Sequence, residues 1–228
     1  MPFSQNWWVT EVLNSAGAWV LASWVIWVIF SITLHELSHG WAAIRAGDRT
    51  PIETGHMTWN PLVHMGTTSL IMFALIGIAW GAMPVDPSRF RRRYDRALVA
   101  LAGPAMNLSL FVVCIAAMTG LLLAKGLMPT DILTNAFMFF LWGAILNFAL
   151  MVFNLLPVPP LDGSRILADL FPPYQRLIMH PNAAPVAAVA FILVFFYAGD
   201  MAFGAATKAT IGTLDFIVGL LGARRAAP

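Results

Sequence analysis

The chain has 228 residues, of which 59% are hydrophobic and 11% are charged, and its formal net charge is +2. A soluble domain carries roughly 25% charged residues, so this composition, with a mean hydropathy of +0.76, excludes an ordinary soluble protein. We therefore expect an integral membrane protein that forms a single domain over residues 1–228.

The apolar segments predict an all-α fold, a polytopic bundle of transmembrane helices. Each span needs about 20 apolar residues, and five or six segments approach that length. They cover residues 16–45, 66–83, 97–124, 134–156, 183–197 and 204–221. We expect a catalytic core over about residues 16–170 and C-terminal membrane segments over about residues 183–222. The polar stretch after the first segment predicts a small irregular or β-containing element.

The basic residues predict how the chain is oriented. Lys and Arg in short loops stay on the cytoplasmic side of a membrane. If every segment crossed the membrane, the loop after the first segment and the loop that contains Arg89 and Arg96 would lie on opposite sides. The conflict disappears if residues 66–83 enter the membrane and return, which irregular backbone can do beside protein or water. All basic residues except Lys125 and Lys208 then become cytoplasmic.

The first apolar segment ends in an ionisable pattern, "SITLHELSHGWAA". Ionisable residues at membrane depth are costly and usually functional. His35 and His39 are four residues apart, so on a helix their imidazoles share a face and can bind one metal ion. Glu36 stands beside them as a general base for an attacking water. This HExxH arrangement predicts a zinc hydrolase site.

A catalytic zinc ion takes three protein ligands and keeps a fourth position open, so a third ligand is needed. Metzincins would have glycine and histidine where this chain has Ala42 and Arg45, which excludes that family. Asp48 and Glu53 are interpreted as solvated loop residues.

The better candidate for the third ligand is Asp162, in "NLLPVPPLDGSR". The prolines end the preceding helix, and Gly163 permits an unusual backbone turn that could aim the carboxylate into the bundle. An interfacial Asp162 paired with Arg165 remains the alternative.

Three separated motifs resemble one known family. "HELSH", "AGPAMN" (residues 102–107) and "NLLPVPPLDG" (residues 154–163) are similar, in this order, to motifs of the site-2 proteases. These are intramembrane zinc metalloproteases, and the chain resembles their short bacterial form without a PDZ domain. The resemblance covers roughly residues 31–168.

The resemblance implies roles for individual residues. His35, His39 and Asp162 would bind one zinc ion per chain, Glu36 would be the catalytic base, and Asn154 would line the substrate site.

Other polar residues receive weaker assignments. The stretch "NPLVHM" also resembles the family and makes His64 a candidate for substrate binding, although Met65 and Gly66 depart from the family pattern. We expect Asn107 to make a contact between helices and His56 to lie near the surface.

The resemblance also implies a substrate and a location. The substrate would be a transmembrane protein, such as a membrane-anchored regulator or a signal-peptide remnant, in the cell (inner) membrane, with the site nearer the cytoplasmic face. The stretch "TGHMTWN" (residues 54–60) could form a short strand that pairs with an unwound substrate. The lipid bilayer is the other expected partner, no nucleic acid is expected, and the sequence leaves the oligomeric state open. Two alternatives stay open: another membrane zinc protease with a Glu as third ligand, and a zinc-binding or transport protein without catalysis.

Overall fold

The computed structural model describes residues 7–225, with side chains up to residue 222. Within that part of the chain there are nine α-helices, one short 3-10 turn at Pro87–Arg89, and no β-strand. The helices are α1 (Trp8–Ala16), α2 (Ala18–Ala46), α3 (Thr50–Glu53), α4 (Pro61–Ile76), α5 (Asp95–Leu123), α6 (Thr130–Asn154), α7 (Asp162–Leu170), α8 (Pro172–Ile178) and α9 (Ala183–Arg225).

Four of these helices, α2, α5, α6 and α9, are long and apolar enough to cross a membrane. This confirms the predicted helical, polytopic bundle. Helix α5 packs against both α2 and α6, and these three helices form the centre of the fold. Small residues let the helices pack close together. This is common in membranes, because lipid provides no hydrophobic driving force for the association of transmembrane helices. A Cβ atom on Gly143 of α6, for example, would lie 2.3 Å from the indole of Trp27 on α2.

Helix α2 carries the ionisable motif into the interior of the bundle. Its residues 31–40 are all buried, so the polar side chains do not project into lipid or into bulk water. The helix ends at Gly47, whose φ of +108° is a left-handed conformation that favours glycine. The chain turns there toward α3.

Residues 66–83 return to the end of the bundle from which they start. Helix α4 ends at Gly77 (φ +78°), and residues 78–85, which form neither helix nor strand, then run back; we call residues 78–85 the strap. The Ala82 amide donates to the His64 carbonyl at 2.9 Å. The Ser69 hydroxyl bonds both the amide (2.8 Å) and the carbonyl (2.7 Å) of Trp80. Helix α4 and the strap therefore form a hairpin, as the re-entrant interpretation requires.

The prediction of two C-terminal membrane segments is wrong, because residues 183–225 form the single helix α9. The polar break "AGDMAFG" contains no proline, so nothing in it prevents the helix from continuing. Helix α9 runs antiparallel to α6: Phe153 contacts Phe191 and Phe195, while Ala206 packs on Ile145.

This geometry changes the expected topology. One crossing by α9 puts Arg224 and Arg225 at the end of the bundle opposite to α7. The expectation that every basic residue except Lys125 and Lys208 shares one side therefore fails for these two arginines.

The predicted strand at residues 54–60 is also wrong. Gly55 has a left-handed φ of +72°, and the His56 amide donates to the Pro51 carbonyl at 2.9 Å. These residues therefore form turns.

Candidate metal centre

Helix α2 places His35 and His39 on one face, directed at α5. A Cβ atom on Gly103 of α5 would lie 2.5 Å from both imidazole rings, so the glycine makes room for the pair. The two Nε2 atoms are 3.0 Å apart. The neighbouring Pro104 has no N–H to donate within this turn of α5.

Hydrogen bonds on the far side of each ring determine which nitrogen carries the proton. His39 Nδ1 lies 2.7 Å from the Val99 carbonyl oxygen, and His35 Nδ1 lies 2.6 Å from Asn107 Oδ1. Both oxygens only accept, so each Nδ1 is the N–H donor. Each Nε2 atom is consequently left with a free lone pair.

A chain of amide groups holds His35 in this orientation. Asn107 Nδ2 donates to Asn147 Oδ1 at 2.9 Å, and Asn147 Nδ2 donates to the Gly143 carbonyl at 2.9 Å. The last acceptor is a backbone carbonyl, which fixes the direction of every amide before it. Both asparagines are 0% exposed. The network joins α2, α5 and α6 behind one imidazole.

Asp162, at the start of α7, completes a group of three acceptor atoms. Its Oδ2 lies 3.1 Å from His35 Nε2 and 3.3 Å from His39 Nε2. This oxygen is buried and receives no hydrogen bond. Three lone pairs that face one another without a donor repel each other unless a cation lies between them.

The donor set fits zinc. Tetrahedral zinc with bonds of about 2.0–2.1 Å separates neighbouring ligand atoms by roughly 3.3 Å, close to the distances found between these three atoms. Two imidazoles and a carboxylate are ligands that zinc favours in catalytic sites. Among the described residues, this is the group of His, Cys, Asp and Glu side chains able to hold a metal ion.

Helix α7 is held in place by close backbone contact. A Cβ atom on Gly163 would lie 2.1 Å from the Leu155 carbonyl oxygen, so only glycine fits there. Gly163 has ordinary helical geometry, and the expected unusual turn is wrong: the residue is needed for space. Asp169 accepts from the Ala97 amide at 3.1 Å and ties α7 to α5. Arg165 lies 3.9 Å from Asp162 Oδ1, so the other carboxylate oxygen does have the surface partner considered above.

The group formed by His35, His39 and Asp162 opens into a cavity of about 990 Å³. Glu36 faces it under the strap, and a Cβ atom on Gly81 would lie 2.7 Å from Glu36 Oε1. The remaining walls come from the strap, from residues of α5, α6, α7 and α8, and from the apolar side chains of α9. The lining includes His35, Glu36, His39, Trp80, Gly81, Ala82, Asn154, Asp162, Phe191 and Phe195.

The two candidates for substrate binding lie in different places. Asn154 lines the cavity, and its side-chain Nδ2 donates one N–H to the Leu150 carbonyl of its own helix at 3.0 Å. His64 is buried outside the lining, and its Nε2 lies 2.7 Å from the Thr58 carbonyl. Its contact with the cavity is indirect, through the backbone bond to Ala82.

The polar residues given minor roles divide into two groups. Glu53 and His56 lie at or near the surface as expected, with Glu53 paired to Arg89 at 2.7 Å. Asp48, by contrast, is 0% exposed, so its interpretation as a solvated residue is wrong. Its partners are backbone and side-chain donors brought together by the turn at Gly47.

Sequence reasoning missed Asn147 and undervalued Asn107. Asn107 does make the expected contact between helices, but it also holds a ligand candidate. A signal for Asn147 exists: it is a lone amide in the apolar run "LWGAILNFAL" of α6, where an unpaired polar group would be costly.

The model of peptidase family M50 matches residues 23–130 and 126–198 of the chain. YwhC of Bacillus subtilis (strain 168), provisionally named a zinc metalloprotease, is 37% identical over 174 residues, which cover 75% of this chain and 78% of YwhC. Rip2 of Mycobacterium tuberculosis (strain ATCC 25618 / H37Rv), also provisionally named a zinc metalloprotease, is 34% identical over 202 residues, covering 82% of this chain and 71% of Rip2. No solved structure matches the chain.

Proposed function

The chain belongs to peptidase family M50, the site-2 protease family, and we propose that it hydrolyses peptide bonds in or near transmembrane segments of other membrane proteins. Membership and the apolar helices make it a multi-pass membrane zinc metalloprotease. One observation carries the proposal: three acceptor atoms converge beside a buried glutamate, in a cavity bounded by apolar helices.

The protein residues would divide the chemistry among themselves. His35, His39 and Asp162 would hold one zinc ion per chain, which when bound polarises the scissile carbonyl and acidifies water. Glu36 would take a proton from the attacking water as the new C–O bond forms. It would deliver that proton to the leaving nitrogen as the C–N bond breaks. Asn154 would donate its free N–H to the carbonyl oxygen.

A transmembrane substrate would have to be extended at the point of cleavage, because a helix uses its carbonyls in internal hydrogen bonds. The strap supports this requirement. It has no regular secondary structure, borders the cavity and passes over Glu36, so an unwound substrate segment would lie beside it.

We further propose that the protein resides in the cell (inner) membrane with the site nearer the cytoplasmic face. Arg89, Arg91, Arg92, Arg93 and Arg96 precede or begin α5, and Ala97 of the same turn binds α7 through Asp169. This basic run thus lies at the end of the bundle that carries Asp162. The proposed substrates are membrane-anchored regulators or signal-peptide remnants.

Two variants test the proposal on a purified transmembrane substrate in detergent. Glu36→Gln should abolish cleavage while about one zinc per chain is retained. Asp162→Ala should lose both zinc and cleavage.

The two alternatives predict different results. If the Glu36→Gln variant still cleaved the substrate, this site would not catalyse the reaction. That result would favour the alternative of a zinc-binding protein without catalysis. Full zinc in Asp162→Ala would remove that residue from the site and favour a protease with a Glu ligand, although Glu53 pairs with Arg89 in the structure.

A further inference from the structure

The strap forms a wall of the cavity and touches the proposed base directly. Only a glycine at position 81 lets the backbone lie this close to Glu36, since a Cβ atom there would be 2.7 Å from Glu36 Cγ and Oε1. Met83, on the same segment, packs its side chain against Gly40 of α2. A small movement of the strap would therefore change the space above Glu36.

The strap is attached at two points. Toward its beginning, Ser69 and the His64 carbonyl bind Trp80 and Ala82, which joins the strap to α4. At its end, the amide of Asp86 donates to Asp48 Oδ2 at 2.7 Å. This second bond, from the residue that follows the strap, is the first connection between this part of the chain and the segment directly after α2. The Arg89 ion pair with Glu53 at 2.7 Å and the bond from the Arg91 amide to the Ala46 carbonyl at 3.1 Å come after it along the chain.

The Asp48 carboxylate is built into the fold so that both of its oxygens are needed. Oδ2 accepts from the Asp86 amide, while Oδ1 accepts from the Thr50 amide at 2.9 Å and from the Thr50 hydroxyl. The Arg89 guanidinium lies 4.0 Å from Oδ1. Burial alone would raise the pKa of Asp48, but the hydrogen bonds from Thr50 and Asp86, with the charge of Arg89, outweigh it and hold the pKa below its usual value.

The position of Asp48 in the chain connects this bond to the chemistry. Helix α2 carries Glu36, His35 and His39, ends at Ala46, and is followed after one glycine by Asp48. A continuous helix is stiff over this distance, so the carboxylate is fixed relative to the metal ligands.

We propose that Asp48 is a positioning residue: it anchors the strap to the end of α2 and so sets the width of the cavity above Glu36 in which an extended substrate lies. This role rests on the proposed function only in naming the substrate; the anchoring itself can be measured without any cleavage.

Asp48→Asn is the sharpest test because it keeps the shape of the side chain. An amide has one oxygen and one NH₂ group, yet the site presents N–H donors to both positions. The asparagine can therefore satisfy the strap or Thr50, but not both. Glu53→Gln is the matched control: it removes one carboxylate charge from the same cluster, at an exposed residue that pairs with Arg89 and makes no bond to the strap.

The first readout is the exposure of the strap. Met83 is buried at 8%, so a cysteine placed there by Met83→Cys reports release of the strap through its rate of modification by a water-soluble maleimide. The native Cys114 is 0% exposed, so labelling of the protein without Met83→Cys measures the background rate. We expect Asp48→Asn to raise the rate at position 83 at least about tenfold, the scale of losing a hydrogen bond to a charged group, and Glu53→Gln to leave it unchanged.

The second readout is made without the reporter cysteine. Zinc per chain should stay at the wild-type value in Asp48→Asn, since no ligand is touched. The KM for a transmembrane substrate should rise about tenfold with a smaller change in kcat, as expected when binding geometry is lost and the reacting groups remain. If the wild type cleaves nothing, the proposed function fails, and the labelling rates still decide the anchoring.

Three results would overturn the inference. Equal labelling in Asp48→Asn and Glu53→Gln would show that the carboxylate does not hold the strap. Faster labelling with loss of zinc would show general loosening of the fold, and faster labelling with an unchanged KM would remove the role in placing substrate. Should Asp48→Asn fail to fold, Thr50→Ala, which removes one hydroxyl donor to the same carboxylate, should raise labelling at least about twofold, and no increase would count equally against the anchor.

Discussion

The two sides of the cavity are constructed differently. The side behind His35 is a fully buried amide network that joins three long helices, and every nitrogen and oxygen of its two amide groups has a hydrogen-bond partner. The opposite side is the strap, a segment without regular secondary structure that is attached through a few hydrogen bonds to α4 and to Asp48. Polar networks that are completely satisfied rigidify a site, whereas lightly bonded segments open at low cost.

This difference has a functional consequence. We expect metal binding to depend on the rigid side, and access of a substrate to Glu36 to depend on the strap. The two properties should therefore respond to different substitutions, and each variant below tests whether they can be separated.

The largest effect is expected from Asn107→Leu. It removes the acceptor of the His35 N–H and leaves a buried donor unpaired, which costs about 1–3 kcal/mol. Loss of such a partner of a metal ligand typically lowers metal affinity roughly 10–100-fold. Competition with a chromogenic chelator measures the affinity. Ser109→Ala on the same helix is the control, because the Ser109 hydroxyl bonds only the Ala105 carbonyl in the structure. A wild-type zinc affinity in Asn107→Leu would refute the idea that metal binding depends on the amide network.

The second effect should fall on the strap alone. Gly81→Ala places a Cβ atom against Glu36, so the strap must move or the carboxylate must turn. We expect kcat/KM to fall at least about tenfold while the zinc affinity stays at the wild-type value, since a misplaced catalytic group costs rate without touching the ligands.

Gly120→Ala gives the matched control for Gly81→Ala. Gly120 is near the end of α5, and a Cβ atom there would meet nothing within 4 Å. A loss of zinc affinity in Gly81→Ala equal to its loss of rate would show that the two sides are not independent.

Sequence reasoning identified the residues whose spacing along the chain is itself the signal. His35 and His39 are one helical turn apart, and the prolines before Asp162 mark the end of a helix, so both features are local. Asp48 is different: its carboxylate accepts from the Asp86 amide, which is 38 positions away in the chain. No local pattern encodes that contact.

The same limit explains the error at the C-terminus. Asp200 lies in a polar break between two apolar runs, and hydropathy alone divided the C-terminal region into two membrane segments there. Without a proline the helix continues through it. The length of α9 depends on packing along α6, which hydropathy does not measure.

A smaller effect is expected from Asn147→Ala, because Asn147 acts on the metal ligand only through Asn107. Removing its carbonyl oxygen leaves Asn107 free to rotate, and we expect zinc affinity to fall a few-fold, less than for direct loss of the His35 partner. The double variant with Asn107→Leu should be no weaker than Asn107→Leu alone, since residues in one network do not contribute independently. Chelator competition on Asn107→Leu, Asn147→Ala and the double variant completes a double-mutant cycle. If the two losses in zinc-binding free energy simply added, Asn147 would not act through Asn107, which would contradict the proposed chain of amides.

The smallest effect on the strap should come from Ser69→Ala. The hydroxyl bonds both backbone groups of Trp80 and holds the strap against α4, but the bond between Ala82 and His64 remains beside it. A neutral hydrogen bond contributes roughly 0.5–1.5 kcal/mol, so maleimide labelling of a cysteine at position 83 should rise only about two- to tenfold. The rise should be smaller than in Asp48→Asn, because Asp48 supplies a charged acceptor at the end where the strap joins α2. If Ser69→Ala released the strap more than Asp48→Asn, the attachment to α4 would dominate and the anchor at the end of α2 would be secondary.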